Sequence, residues 1–120
     1  MVSSVRDVTR FLRALMRGAV VRQPYLDQMR VVDPITVDER GTGFGLGLER
    51  LPYSCDNYGK NGSLPGYTTI AQSTPDGRRQ VMWAANSVDW LLRPGEPVLF
   101  IELHAAFGQL LCEGRPPAAP

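Results

Sequence analysis

The sequence predicts an α+β domain in which helices pack on an antiparallel sheet of three or four strands. Three observations support this fold class: a helical apolar rhythm near the N-terminus, alternating and turn-separated apolar segments in the middle, and a long apolar helical pattern near the end. With 120 residues, of which 43% are hydrophobic and 21% charged, the chain is long enough for one compact domain.

Two helices are expected in the first third of the chain. Ser3 or Ser4 is a suitable N-cap for the first helix, and Gly18 is a natural stop. Pro24 is favoured in a first helical turn, so a short second helix is predicted to begin near it. The apolar stripe of the first helix consists of Val5, Val8, Leu12, Leu15 and Ala19, widened by Phe11 and Met16.

The segment 43–51 alternates large apolar residues with glycine, which predicts a strand with one bulky face and one bare face. Because glycine weakens a strand, its repetition indicates that another part of the chain packs very closely on the bare side. The bulky positions are Phe44, Leu46 and Leu48, and the bare positions are Gly43, Gly45 and Gly47.

A hairpin and a final helix complete the predicted fold. The apolar segments 67–71 and 81–85 flank Pro75-Asp76-Gly77, in which proline presets φ and glycine accepts a positive φ. Residues 97–112 are apolar on most of a helical circumference, so this helix should be largely buried on the sheet. Residues 1–114 are therefore assigned to one domain and residues 115–120 to a flexible tail.

The charge pattern argues against a nucleic-acid partner. The first 30 residues contain six arginines and two aspartates, but Arg6, Arg10, Arg13 and Arg17 recur at helical spacing opposite the apolar stripe. A solvated helix face explains this pattern. No stretch approaches the roughly 20 apolar residues of a membrane span, so no membrane span is expected either.

Neither a metal nor a cofactor is expected. One histidine and two distant cysteines do not have the spacing of metal ligands. His104 lies inside the apolar pattern of the last helix, and no Gly-x-Ser-x-Gly elbow accompanies it, so a structural role is favoured over a catalytic one.

The segment 58–67, YGKNGSLPGY, contains the only lysine of the sequence. Every other basic residue is arginine, which suggests that Lys60 supplies an ammonium group for which arginine would not substitute. Read without its context, the segment is also compatible with a glycine-rich turn that enters a strand and leaves Lys60 exposed.

The segments 43–48, 58–67, 75–77 and 84–86, in this order, resemble the C-terminal part of the penicillin-recognising serine hydrolases. The resemblance is greatest to the secreted D-alanyl-D-alanine carboxypeptidases and to class C β-lactamase-like proteins, and the helix from residue 3 to 12 is similar to the one that precedes this region in the family. It implies a β-lactamase-like (DD-peptidase) fold and a serine-type acyl-transfer chemistry.

The resemblance also implies roles for residues of the lysine segment. Lys60 would lend positive potential to the site, Asn61 would help bind a substrate carboxylate, and Gly62 would let the substrate approach the strand. The backbone N–H of Ser63 would be one donor of an oxyanion hole. Asn61 stands where the family most often has threonine or serine, so a hydroxyl that could relay protons is missing.

Two catalytic motifs of the family are absent from the sequence. Since Lys60 is the only lysine, a Ser-x-x-Lys motif would need serine at position 57, which is Asn57. No tyrosine or serine is followed two residues later by asparagine. We therefore expect the C-terminal portion of a serine hydrolase that lacks its nucleophile region and is not catalytic alone, with peptides or β-lactam-like molecules as substrates of the completed enzyme.

Two other functions remain open from the sequence. The chain is also compatible with a non-catalytic binding module, or with a fragment that complements a separate chain carrying Ser-x-x-Lys. A sheet that lacks a neighbouring helical region would expose apolar surface, so self-association is expected.

Cys55 and Cys112 each end a predicted element, and an even cysteine count fits one disulfide. The resemblance to secreted proteins implies this pairing if the chain is exported. The sequence carries no export signal, and in a reducing compartment two free buried thiols are expected instead.

Overall fold

The computed structural model describes residues 2–39, 41–52, 55–86 and 98–113, with side chains of the last helix described from residue 102. It shows three α-helices, a short 3-10 helix and a five-stranded sheet. In chain order these are α1 (Val5–Met16), α2 (Gln23–Arg30), the 3-10 helix (Pro34–Thr36), β1 (Gly43–Phe44), β2 (Glu49–Leu51), β3 (Asn57–Leu64), β4 (Tyr67–Ser73), β5 (Gln80–Ala85) and α3 (Val98–Cys112).

The strands follow the order β1-β2-β3-β4-β5, and every neighbouring pair is antiparallel. The α+β fold class is confirmed, but the sheet has five strands where three or four were expected. The difference lies in the segment 43–51, which is not one strand: it turns back on itself and forms β1 and β2. Gly47, at φ 74°, adopts the left-handed conformation that this reversal requires.

The bare side of the glycine-rich segment is closely packed, as predicted, at two of its three glycines. A Cβ on Gly45 would lie on the carbonyl oxygen of Met29 and 2.8 Å from that of Val31, and one on Gly43 would meet the side chain of Val32. The chain that leaves α2 therefore packs against β1 at a distance only glycine permits.

Helix α1 begins and ends as its sequence predicts. The Oγ of Ser4 accepts a hydrogen bond from the backbone N–H of Asp7 at 3.1 Å, and Gly18 follows the helix with φ 72°. The helix packs on β4 and β5 and buries Leu12, Leu15 and Met16. Fully burying each such side chain stabilises the fold by about 1.5–3 kcal/mol.

Arg30, at the end of α2, connects α1, the β4–β5 turn and β3. Its Nη2 donates to the backbone oxygen of Pro75 at 2.7 Å and to that of Met16 at 3.3 Å. Its guanidinium also lies 5.5 Å from the ring centroid of Tyr58. These contacts fix α2 against the strand that carries the lysine segment.

A disulfide joins Cys55 to Cys112, with 5.7 Å between the Cα atoms. It anchors the residues that lead into β3 to the end of α3, where Leu111 and Val81 pack against it. The sequence separation is 57 residues, for which the chain-entropy account gives about 4 kcal/mol of stabilisation. Arg79 adds a polar contact, because its Nη1 donates to the carbonyl of Glu113 at 3.0 Å.

Membrane crossing requires a longer apolar helix than any that the described part of the chain contains.

Gly59, in the middle of β3, provides a test of how closely β3 and β4 approach. A Cβ at this position would lie on the backbone oxygen of Ala71. We expect Gly59→Ala to lower the free energy of unfolding by about 3 kcal/mol, because rigid backbone must move to make room. Urea unfolding followed by circular dichroism measures this change.

Gly62→Ala is the matched control on the same strand. Its Cβ would meet only the hydroxyl oxygen of Thr69, at 3.0 Å, and that side chain can move. The loss should be below about 1 kcal/mol. Equal losses for the two variants would contradict the close approach at Gly59.

Candidate functional site

The site begins where β2 ends and β3 continues. β2 pairs with β3 only from Asn57 to Gly59, whereas β4 pairs with β3 from Tyr58 to Leu64. Within the described residues, β3 beyond Gly59 is therefore paired along one edge only. Among the described residues, no strand pairs with the backbone N–H and C=O groups directed to the other edge, and such groups can bind an added extended chain.

Lys60 is the first residue of this unpaired edge, and its ammonium group has three close neighbours. Nζ donates to Oδ1 of Asn61 at 2.7 Å and lies 3.6 Å from Oε2 of Glu49. It also lies 5.0 Å from the ring centroid of Phe44. The side chain is half exposed, so a fixed positive charge stands at the edge of the sheet.

Glu49 is a site residue that the sequence analysis missed. It pairs with Gly59 across β2 and β3, and its side chain is only 7% exposed. Its Oε2 has no hydrogen-bond partner within the described part of the chain. Eleven positions separate Glu49 from Lys60 in the sequence, and only the pairing of β2 with β3 makes them neighbours.

The structure places Asn61, Gly62 and Ser63 at consecutive positions of β3, in the part of the strand beyond its pairing with β2. Gly62 and Ser63 are exposed, and Asn61 is partly buried. The Oδ1 of Asn61 is occupied by Lys60, whereas the hydroxyl of Ser63 lies 3.5 Å from that of Thr68 on β4. The four residues predicted as a site are thus together on one exposed strand segment.

A largely apolar cleft of about 590 Å³ lies between α1 and the sheet, and Lys60 and Asn61 are among the residues that line it. This volume is in the range of ligand pockets. Phe11 and Val20 line it and remain 54% and 52% exposed. The cleft therefore joins an apolar surface to the charged edge of β3.

Tyr58 precedes the edge and is partly buried between charged groups. Burial raises the pKa of its hydroxyl above the ordinary value of 10.0, and the carboxylate of Asp56 raises it further. Arg50 and Arg30 act in the opposite direction.

His104 is 3% exposed on α3, as a structural histidine would be. Across the described ranges, no group of three or more His, Cys, Asp or Glu side chains is arranged to hold a metal ion.

The raised pKa of Tyr58 predicts a loss of stability at alkaline pH. The unfolded chain releases this proton near pH 10.0, before the folded chain does. The contribution is therefore fully present below that pH and is lost as the pH rises through the folded pKa. Urea midpoints measured from about pH 9 upward should fall less steeply for Tyr58→Phe than for the unmodified chain.

Tyr25→Phe is the control for this measurement, because Tyr25 is 55% exposed. It should retain the steep fall of the unmodified chain. Identical pH profiles for Tyr58→Phe and the unmodified chain would rule out the burial effect.

Comparison with known proteins finds a similar solved structure. No family model matches the chain. The crystal structure of a D-stereospecific amidohydrolase from Streptomyces sp. is similar to it, with a TM-score of 0.65 and 32% sequence identity. The match covers 70% of this chain and 25% of the amidohydrolase chain, so this chain spans about a quarter of that protein.

The similar backbone and the sequence identity together support a common fold and a broad relationship between this chain and the amidohydrolase. The five-stranded antiparallel sheet with its three helices is a β-lactamase-like arrangement. The similarity does not separate the class C-like branch from the others. What it supports for this chain is a fold of the penicillin-binding protein and β-lactamase-like superfamily.

Proposed function

We propose that this chain is the substrate-binding segment of a serine hydrolase of the class C β-lactamase or D-alanyl-D-alanine carboxypeptidase type, and that it is not catalytic alone. Lys60, Asn61 and Gly62 form the substrate-binding edge, and the backbone N–H of Ser63 donates to the oxyanion of the reaction. The observation that carries the proposal is the unpaired edge of β3, which places an ammonium group beside an apolar cleft.

The reaction of the completed enzyme is acyl transfer through a serine ester. A serine oxygen attacks the carbonyl carbon, the carbonyl oxygen gains negative charge, and the leaving amine or alcohol departs after taking a proton. Ser63 would stabilise the negative oxygen with its N–H, and loss of one such donor costs about 2.7–4 kcal/mol of barrier. The serine nucleophile comes from polypeptide outside this sequence, since the sequence contains no Ser-x-x-Lys.

The substrates are proposed to be amides of D-configured residues. The similar structure is that of a D-stereospecific amidohydrolase, and the identity to it is 32%. An extended substrate can add to the free edge of β3 as a further strand, and the cleft beside Lys60 can take an apolar side chain. No cofactor takes part in this chemistry.

One observation favours a complementing fragment over a self-sufficient binding module. The cleft under α1 is open, and Phe11 and Val20 on its rim are more than half exposed. Exposed apolar surface of this kind is typical of a face that another polypeptide covers. We therefore propose that the polypeptide with the nucleophile packs on this face, and that the chain self-associates in its absence.

The binding edge can be tested by nuclear magnetic resonance with the isotope-labelled chain. Titration with N-acetyl-D-alanyl-D-alaninamide should shift the backbone amide signals of residues 60–63. Lys60→Ala should weaken binding by about tenfold, as expected for loss of a charge-assisted contact. The L,L enantiomer should bind more weakly than the D,D ligand.

Arg78→Ala is the control, since Arg78 is 79% exposed on the β4–β5 turn and should leave binding unchanged. Signal shifts confined to residues outside β3, or equal affinity after Lys60→Ala, would refute the proposed edge.

The absence of a nucleophile gives a second test. Incubation of the chain with a fluorescent penicillin should produce no covalent adduct, because no serine is activated by a neighbouring lysine motif. Intact-mass spectrometry measures the adduct, with a complete penicillin-binding enzyme as the positive control. Stoichiometric acylation would disprove the view that catalysis needs another polypeptide.

A further inference from the structure

We infer that Glu49 sets the charge preference of the substrate edge, so that the edge accepts an uncharged carboxamide group in preference to a carboxylate. This inference rests on the proposed function, because it concerns the ligand of the same edge. It assigns a specificity-determining role to a residue on β2, outside the segment that carries Lys60.

Glu49 and Lys60 form an ion pair at the substrate edge. The carboxylate and the ammonium are 3.6 Å apart, and the acid is 7% exposed while the lysine is 50% exposed. A partly buried pair is screened by salt much less than a surface pair. The negative charge of Glu49 therefore largely cancels the positive potential that Lys60 would offer to a ligand.

The groups beside Lys60 favour some ligand groups over others. Within the described part of the chain, Oε2 of Glu49 is buried and has no hydrogen-bond partner, and its charge is balanced by Nζ of Lys60 at 3.6 Å. A carboxamide brings two N–H donors, whereas an ionised carboxylate only accepts. A carboxylate at the edge would add a second negative charge near Glu49, whereas a carboxamide would not, so the local charge favours the carboxamide.

Asn61 contributes to the same preference. Its Oδ1 already accepts from Nζ of Lys60 at 2.7 Å, so the lysine is engaged by Asn61 and Glu49 together. A ligand carboxylate drawn to Lys60 would have to displace these partners and would approach Glu49, which repels it. A neutral carboxamide meets no such repulsion.

The proposed preference for a carboxamide differs from the sequence-based expectation that Asn61 helps bind a carboxylate. That expectation came from the family resemblance, and the segment 58–67 itself contains no acid. The register of β2 against β3 introduces the acid from outside the segment.

The test compares two small ligands that differ only in the group in question: N-acetyl-D-alanine, a carboxylate, and N-acetyl-D-alaninamide. Each is titrated into the isotope-labelled 120-residue chain, and affinities are taken from the amide signals of residues 60–63. The unmodified chain should bind the carboxamide about tenfold more tightly. Glu49→Gln should shift the ratio of affinities toward the carboxylate by about tenfold.

Glu102→Gln is the matched control, because it removes one acid at an exposed position of α3 and should leave the ratio unchanged. A preference of the unmodified chain for the carboxylate overturns the inference, and this result does not depend on any variant. An unchanged ratio in folded Glu49→Gln also overturns it.

The failure of the inference and that of the proposed function are distinguishable. If both ligands shift the amide signals of residues 60–63 but the carboxylate binds more tightly, the proposed substrate edge is supported and the role of Glu49 is refuted. If neither ligand shifts the amide signals of residues 60–63, even at concentrations high enough to saturate a weak binding site, the substrate edge itself is refuted. The inference about Glu49 is then refuted as well.

Discussion

The backbone pairing of β3 with β4 is the interaction on which the rest of the structure depends. It extends from Tyr58 to Leu64, and at Gly59 the two strands are so close that a methyl group would lie on the carbonyl of Ala71. Because β4 pairs with β3 as far as Leu64, β2 can end early without loss of the strand. The unpaired edge of β3 is a direct consequence.

Charge at this edge is governed by neighbours on other strands. Lys60 is the only lysine of the chain, but its ammonium lies between Asn61 on β3, Glu49 on β2 and the ring of Phe44 on β1. Three strands thus contribute to one charged group. The orientation of the site depends on the β1–β2 hairpin, which in turn depends on the close packing of Gly43 and Gly45.

Much of the fold was predictable because its signals are local. The N-cap at Ser4, the stop at Gly18 and the turn at residues 75–77 each depend on a few neighbouring residues and are correct in the structure. The segment 43–51 was predicted as one strand because its alternation of glycine and large residues has the period of a strand. It is a hairpin because Gly47 takes a positive φ, which alternation alone does not reveal.

The sequence by itself determined the α+β class, the helix limits, the β4–β5 hairpin and the segment that carries Lys60, Asn61, Gly62 and Ser63, because each is encoded by residues close together in the chain. Only the tertiary structure decided which groups surround that segment. Glu49 and Phe44 reach Lys60 through strand register, and the apolar cleft forms only where α1 covers part of the sheet. Such neighbours depend on long-range pairing and packing, for which no single stretch of sequence carries the signal.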